Sequence, residues 1–182
     1  MNDPGADPAA GDPVIVRVAT PKDAPAIIAL QRTIAEETSF MLLEPHEVPA
    51  KPKGLAAHLN DIETRANTAW FVAESGPESS RAVVGYLGAD GGRLERNRAS
   101  ARIFLGVIRD YWGRGVGRAL FEAVEDWARA QGIRRLDLTV QVHNERGRAL
   151  YEKLGYAVEG TMRESLVVDG QPVDELLMSK LL

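Results

Sequence analysis

The chain has 182 residues, of which 45% are hydrophobic and 26% are charged, and its formal net charge is −4. These values are typical of one globular domain with a substantial core, and the negative charge argues against general nucleic-acid binding. No apolar run approaches the roughly 20 residues of a membrane span, so no membrane partner is expected. The absence of cysteine excludes a disulfide framework, a thiol nucleophile and a cysteine-based metal site, and it favours a cytoplasmic location.

The N-terminal residues 1–13 are rich in Pro, Gly, Ala and Asp. They lack the basic and apolar regions of a signal peptide. We therefore predict a disordered leader over residues 1–13, followed by one domain over residues 14–182.

Within that domain, changes of hydrophobic period mark the predicted elements. Alternating or β-branched apolar runs indicate strands, and apolar residues at spacings of three and four indicate helices. Strands are predicted over residues 14–18, 68–74, 82–88, 100–107, 136–142, 156–168 and 172–181. Helices are predicted around residues 27–34, over 55–66, from 115 to the stop at Gly132 and over 144–154, and the three prolines within 39–53 predict an irregular connection. This order predicts a mixed sheet with helices on both faces.

A glycine-rich turn joins the strand over residues 100–107 to the helix that begins at Gly115. Its sequence is Asp110-Tyr111-Trp112-Gly113-Arg114-Gly115-Val116-Gly117-Arg118-Ala119-Leu120. Glycines allow the backbone to turn tightly and to approach a ligand, and the first turn of a helix offers free N–H groups and the positive end of its dipole. We predict that the N–H groups from about Gly113 to Ala119, with the charges of Arg114 and Arg118, bind a phosphate or pyrophosphate.

Spacing excludes two other phosphate-binding motifs at this turn. A P-loop requires Gly-Lys-Ser/Thr, which does not follow Gly117, and a dinucleotide fingerprint requires a third glycine where Leu120 stands. A tight turn without a ligand and a nucleotide-binding domain of another kind stay open as alternatives. Arginines around the turn favour a small polyanionic ligand, and they stand at positions 93, 96, 98, 102, 109, 114 and 118.

Two motifs in this order resemble the GNAT superfamily of N-acetyltransferases. Gly115 and Gly117 match its acyl-CoA signature Q/R-x-x-G-x-G/A, and Trp112 replaces the leading Q/R. An aromatic residue there is familiar in the branch that acetylates protein N-termini and small amines. The motif N-x-x-(A/G)-x-x-L-Y-x-K-x-G-F/Y is matched by Asn144, Gly147, Leu150, Tyr151, Lys153, Gly155 and Tyr156. A third stretch is similar to the closing hairpin of that branch, and it comprises residues 159–163, Asp169, Gly170, Asp174 and Met178.

This resemblance covers about residues 14–182 and implies a single-domain α/β (α+β) fold. The sheet is then mixed, mostly antiparallel and six- to seven-stranded, with about four flanking helices. Acetyl-CoA is implied as the co-substrate, with its pyrophosphate at the glycine turn. The backbone groups of Val107 and Ile108 would bind the pantetheine arm and polarise the thioester carbonyl. The residues expected to bind acetyl-CoA are Val107, Ile108, Arg109, Trp112, Gly113, Arg114, Gly115, Val116, Gly117, Arg118, Ala119, Asn144 and Tyr151.

Tyr151 is the predicted general acid, because a phenol near the sulfur can protonate the leaving thiolate. The alternative for Tyr151 is a purely structural role, as a half-buried aromatic residue of its helix. Asn144 also has a structural alternative, because it is a good N-cap.

The strand before the glycine turn carries no acid, so a common position for the family's base is empty. The candidates elsewhere are Glu36, Glu37, Glu44, Glu74, Asp174 and Glu175. We favour Glu37, because residues 37–45 resemble a substrate-side loop of this branch.

The resemblance predicts an N-acetyltransferase that moves an acetyl group from acetyl-CoA to a primary amine. Attack is expected to be direct, in a ternary complex, because the chain has no cysteine to carry an acyl group. A small-molecule amine is the favoured acceptor, and a protein N-terminal α-amine is the alternative. A non-catalytic module that senses acyl-CoA is the competing class. No metal is expected, because His46, His58 and His143 show no metal-ligand spacing, and family analogy suggests a homodimer.

Overall fold

The computed structural model describes residues 13–182, so the predicted leader lies, apart from Pro13, outside the described residues. The strands are β1 (Ile15–Val18), β2 (Thr68–Ser75), β3 (Ala82–Gly91), β4 (Ser100–Val107), β5 (Arg135–Gln141), β6 (Ala157–Val168) and β7 (Gln171–Leu181). The helices are α1 (Ala24–Glu37), α2 (Lys53–Ile62), α3 (Val116–Ala130) and α4 (Glu145–Lys153). None of these four helices is long and apolar enough to cross a membrane.

All seven strands form one sheet in the order β1-β2-β3-β4-β5-β7-β6. Every neighbouring pair is antiparallel except β4 and β5, which are parallel. The predicted mixed, mostly antiparallel sheet with four helices is therefore confirmed. A parallel pair needs a crossover, and α3 supplies it between β4 and β5.

Each face of the sheet has its own apolar core, because successive residues of a strand point to opposite faces. Along β2, Phe71 and Ala73 pack with α3, whereas Trp70 and Val72 pack with α1 and α2. The predicted stripe of α1 is buried in the second of these cores and consists of Ile27, Leu30 and Ile34. Helices therefore cover both faces, as the element order predicted.

Two predicted ends differ from the structure by three residues or more. Helix α2 ends at Ile62 rather than near residue 66. The Arg65 N–H donates to the Ile62 carbonyl at 2.9 Å, only three residues back, so the hydrogen bonding of an α-helix to the fourth residue back stops there. Strand β3 continues to Gly91, three residues beyond the predicted end at 88, because it pairs with both β2 and β4 over that length.

Asp23 joins β1 to the start of α1, and replacing it by asparagine is expected to destabilise the protein at pH 7 by about 2 kcal/mol. The carboxylate is buried and accepts from Arg17 Nη1 and Nη2 at 2.8 and 2.7 Å. These bonds lower the pKa of Asp23 to about 2. Because the pKa of Asp23 is lower in the folded state, its ionised carboxylate stabilises the fold at pH values above the unfolded-state pKa near 4. This contribution is lost as the pH falls towards 2.

Urea unfolding of the wild type and Asp23→Asn at pH 7 and pH 3 measures this difference, which should shrink at the lower pH. Asp126→Asn is the matched control, because the Asp126 side chain is 83% exposed in its ion pair with Arg129. That exposed pair should contribute less than about 0.5 kcal/mol. An equal loss for Asp23→Asn at both pH values would contradict the assignment.

Candidate active site

The parallel strands β4 and β5 separate soon after they begin. Their pairing is limited to Ser100–Arg102 with Arg135–Asp137. Beyond it, β4 pairs with β3 and β5 pairs with β7, so a gap opens between the carboxyl ends of β4 and β5. Among residues 13–182 no strand pairs with the backbone groups on the β5 side of β4 there, which makes the gap a place where an extended ligand can bind.

Hydrogen bonds at the end of β4 determine which backbone groups face this gap. The Ile108 N–H donates to the Val84 carbonyl at 3.2 Å, on the β3 side. Because bonding alternates along an antiparallel pair, the N–H and C=O groups of Leu105 and Val107 point to the other side, towards the gap. The Val107 carbonyl already accepts from the indole Nε1 of Trp112 at 2.8 Å. The Val107 N–H is therefore the last donor of β4 that faces the gap.

The backbone groups of Ile108 and Arg109, two residues expected to bind acetyl-CoA, have partners within the protein. The Ile108 N–H donates to the Val84 carbonyl, and the Ile108 carbonyl accepts from the Tyr111 N–H at 3.0 Å. The Arg109 N–H donates to Glu37 Oε2 at 2.8 Å, and its guanidinium donates to the Glu37 carbonyl. The end of the strand thus turns the backbone of these two residues towards β3 and α1, and their contact with acetyl-CoA stays a prediction.

The glycine turn has the backbone that an anion site needs. Gly113 and Gly115 have φ of 76° and 82°, in the left-handed region that favours glycine. Gly115 is the N-cap of α3 and no side chain caps it. The N–H groups of the next three residues, Val116 to Arg118, therefore have no carbonyl partner within the helix. These N–H groups can bind a phosphate at the positive end of the helix dipole.

This set of donors is smaller than the predicted run from Gly113 to Ala119. The Ala119 N–H donates to the Gly115 carbonyl at 2.9 Å, and the Arg114 N–H donates to Tyr111 at 3.4 Å. The prediction that the Ala119 N–H binds the anion is therefore wrong, because this N–H forms the first hydrogen bond within the helix. The Arg114 guanidinium lies over the Tyr111 ring at 5.1 Å, and Arg118 pairs with Glu122 at 2.8 Å.

Gly117 brings α3 and α4 close together. A Cβ at this position would lie 2.9 Å from Leu150 Cδ2, so a larger residue would force the Leu150 side chain to move. Asn144 caps α4 by accepting from the Gly147 N–H at 2.9 Å, which confirms its structural role. The small size of Gly117 thus allows Leu150, from the helix that carries Tyr151, to pack beside the glycine turn.

Tyr151 lies in α4 and packs against Phe121, with ring centroids 5.5 Å apart. Burial raises the pKa of Tyr151 to about 12. The phenol therefore keeps its proton at neutral pH, which is the state a general acid requires.

Glu37 is the last residue of α1 and borders a groove of about 490 Å³ beside the end of β4. The groove contains four acidic side chains and no basic one. We call it the acidic groove, and it is lined by Ala35, Glu36, Glu37, Thr38, Ser39, Met41, Leu43, Glu44, Pro45 and Asp169. Among the candidate bases, only Glu37 both lines this groove and contacts the backbone just beyond β4.

The other candidate bases have different surroundings. Glu36 and Glu44 line the acidic groove. Glu74 pairs with Arg17, and Asp174 accepts from the Glu164 N–H at 2.8 Å. Glu175 accepts from the Ser165 hydroxyl at 3.0 Å. Within residues 13–182 no group of three or more metal-ligating side chains could hold a metal ion.

A scan against family models matches residues 33–156 to the acetyltransferase (GNAT) family. The chain belongs to the GNAT family. The family inferred from the two motifs is thereby confirmed, and with it the class of acyl-CoA-dependent N-acetyltransferases, which use acetyl-CoA as co-substrate.

Similar proteins agree with this family. A curated relative named mycothiol acetyltransferase, from Beutenbergia cavernae, is 33% identical over 68% of this GNAT chain and 42% of its own length. The chain thus spans less than half of that relative. A crystal structure of a GNAT acetyltransferase from Streptococcus pneumoniae has a TM-score of 0.85 and 29% identity, and the match covers 93% of this chain and 99% of that one.

A second solved structure shares the fold. It is a GNAT phosphinothricin acetyltransferase from Sinorhizobium meliloti in complex with acetyl-CoA, with a TM-score of 0.78 and 22% identity. The match covers 93% of this chain and 88% of that chain.

Three site features of this GNAT chain were not found from sequence. The Trp112 indole donates to the Val107 carbonyl at the end of β4. Asp169, in the turn between β6 and β7, lines the acidic groove. Gln141 Nε2 donates to the Ser39 carbonyl at 2.9 Å. The position of Trp112 in the signature motif was a signal for the first. No local pattern marks the other two, because their partners lie far away in the chain.

The arginines that crowd the sequence around the glycine turn are divided in space. Arg93 and Arg98 line a cavity of about 690 Å³ that also contacts Asn67 and Gly132. This cavity lies at the beginning of β4, opposite the end that carries the glycine turn. The expected basic field is therefore corrected, because Arg93 and Arg98 lie in the loop between β3 and β4, at the opposite end of β4 from the glycine turn.

Gly115 allows a direct test of the anion site, with Gly132 at the other end of α3 as its control. Both have positive φ, 82° and 71°, and a Cβ at either position would meet no atom within 4 Å. Alanine should therefore strain both turns by about 1–2 kcal/mol. We expect Gly115→Ala to weaken acetyl-CoA binding about tenfold, or roughly 1.4 kcal/mol, and Gly132→Ala to leave it unchanged. Titration calorimetry that gives the same affinity for both variants would contradict the anion site.

Proposed function

We propose that this chain acetylates a primary amine of a small cationic molecule by direct transfer from acetyl-CoA. One observation carries the proposal: Glu37 joins the acidic groove to the end of β4. Its carboxylate lines the groove and accepts from the Arg109 N–H, two residues beyond Val107. A base at this junction is within reach of an amine in the groove and of an acyl group at the gap.

The charge of the groove supports a cationic acceptor. Four carboxylates border a volume of about 490 Å³, which suits a small molecule. An ammonium or polyamine would be attracted by this field, whereas a carboxylate or phosphate ester would be repelled. The name of the mycothiol acetyltransferase relative also supports a small-molecule acceptor.

Acetyl-CoA supplies the acetyl group as a thioester. The uncapped N–H groups at the start of α3 and the exposed Arg114 and Arg118 fit its phosphates. The Val107 N–H faces the gap and is placed to stabilise negative charge on the thioester oxygen. We assign the pantetheine arm to the gap between β4 and β5.

Glu37 and Tyr151 each carry a proton in the proposed reaction. Glu37 takes a proton from the acceptor ammonium, directly or through a water, leaves a neutral amine and passes that proton to solvent. The amine nitrogen forms a bond to the acetyl carbon, the carbon–sulfur bond breaks, and the nitrogen gives its second proton to water, which leaves a neutral amide. Tyr151 gives its proton to the departing sulfur and is reprotonated from solvent.

Release of free thiol from acetyl-CoA tests this function against polyamines, amine antibiotics, amino acids and short peptides. Small cationic amines should give the highest kcat/KM. The double variant Glu36→Gln, Glu44→Gln should raise the KM for a cationic acceptor and leave the KM for acetyl-CoA unchanged. Preference for a neutral amine or for peptides would overturn the acceptor class. Acetyl-CoA binding without release for any acceptor would favour a sensor module.

A further inference from the structure

The indole of Trp112 contacts three separate parts of the candidate active site. Its Nε1 donates to the Val107 carbonyl at 2.8 Å. The Arg109 guanidinium carbon lies 5.6 Å from the ring centroid, and that of Arg146 lies 5.1 Å from it. One side chain therefore links the end of β4, the segment that contacts Glu37, and the first turn of α4.

The indole bond fixes the last peptide of β4. The peptide between Val107 and Ile108 is held on the β3 side by the bond from Ile108 to Val84. On its other side no strand of the described part of the chain pairs with it, and Trp112 supplies the donor to the Val107 carbonyl. With both ends of this peptide bound, the adjacent Val107 N–H has a fixed direction towards the gap.

The two guanidiniums extend this effect to both predicted proton-transfer groups. Arg109 donates to Glu37 through its backbone N–H and its guanidinium. Arg146 lies in the first turn of α4, the helix that carries Tyr151. Within residues 13–182 neither guanidinium forms an ion pair. Stacking on Trp112 therefore restrains both, and for Arg109 it adds to the hydrogen bond with the Glu37 carbonyl.

We propose that Trp112 is a positioning residue that sets the relative placement of Val107, Glu37 and α4. The proposal rests on the function proposed above. Trp112 acts through the Val107 carbonyl and the two arginines, and it transfers no proton itself. Its loss should therefore lower turnover more than it lowers affinity for acetyl-CoA.

Trp112→Phe tests the proposal because it keeps an aromatic ring and removes the donor. We expect kcat to fall about tenfold and the Kd for acetyl-CoA to change less than about threefold. In a Glu37→Gln background the same substitution should lower kcat by a smaller factor than in the wild type, because one of the three groups that it positions is already lost. Equal effects in both backgrounds, or no effect on kcat, would overturn the proposal.

A second measurement does not depend on turnover. Amide exchange of Arg109, whose N–H donates to Glu37, should be about tenfold faster in Trp112→Phe than in the wild type. The matched control is Trp127→Phe in α3, where the Trp127 ring lies edge-on to Phe71 at 6.1 Å. It should leave the exchange of Arg109 and kcat unchanged. Unaltered exchange in Trp112→Phe would refute positioning, whereas altered exchange in a chain that acetylates no amine would refute only the proposed function.

Discussion

Replacing Tyr151 by phenylalanine is expected to lower kcat about 100-fold and to change the Kd for acetyl-CoA less than about twofold. Phenylalanine keeps the packing against Phe121 and removes the hydroxyl proton. Burial raises the pKa of Tyr151 to about 12, so the hydroxyl is protonated throughout the neutral range. Steady-state turnover and calorimetry on the same preparations separate the two quantities.

Tyr156→Phe is the matched control for this prediction. The Tyr156 ring packs on the same Phe121 at 5.3 Å, and its buried hydroxyl has no hydrogen-bond partner among residues 13–182. Removal of an unsatisfied buried hydroxyl should leave stability unchanged or raise it. Equal losses of kcat in the two variants, or a parallel loss of affinity in Tyr151→Phe, would identify Tyr151 as a packing residue.

Glu37→Gln is expected to lower kcat/KM for the acceptor about 100-fold at pH 7. Glutamine retains an oxygen that can accept from the Arg109 N–H, so the local geometry is kept while the base is lost. The deficit should shrink as the pH rises towards the pKa of the acceptor amine, because an amine that is already neutral needs no base. A profile of kcat/KM against pH measures this recovery.

The neighbouring Glu36→Gln separates basicity from charge. Glu36 lines the same acidic groove at the end of the same helix. We expect it to raise the KM of a cationic acceptor a few-fold and to leave kcat unchanged. If Glu36→Gln and Glu37→Gln give the same profile, Glu37 acts only through its charge, and a water or another acid is the base.

The parts of this molecule that follow local rules could be predicted from the sequence. The stripe of Val116, Leu120 and Val124 places α3 against the sheet, and all three residues are buried. Asn144 caps α4, and Asp169 and Gly170 form the turn between β6 and β7, with φ of 50° and 74°. Each of these features depends on residues within one helix or one turn.

The arrangement of the candidate site depends on contacts between distant segments, so it could not be predicted in the same way. Glu37 and Arg109 are 72 positions apart, and Gln141 and Ser39 are 102 apart. Only the order of strands in the sheet brings such pairs together. The same reason explains the error over Arg93 and Arg98, since neighbours in sequence can occupy opposite ends of a strand.

The separation of β4 from β5 makes the stability of the folded chain depend on the concentration of acetyl-CoA. A ligand that lies in the gap supplies hydrogen bonds that the fold itself lacks, and it binds only the folded chain. At a free concentration 100 times its Kd, such a ligand adds about 2.7 kcal/mol to the free energy of unfolding. Degradation by proteases that act on unfolded chains should then be slower in a cell rich in acetyl-CoA. The amount of this acetyltransferase would thereby follow the supply of acetyl groups.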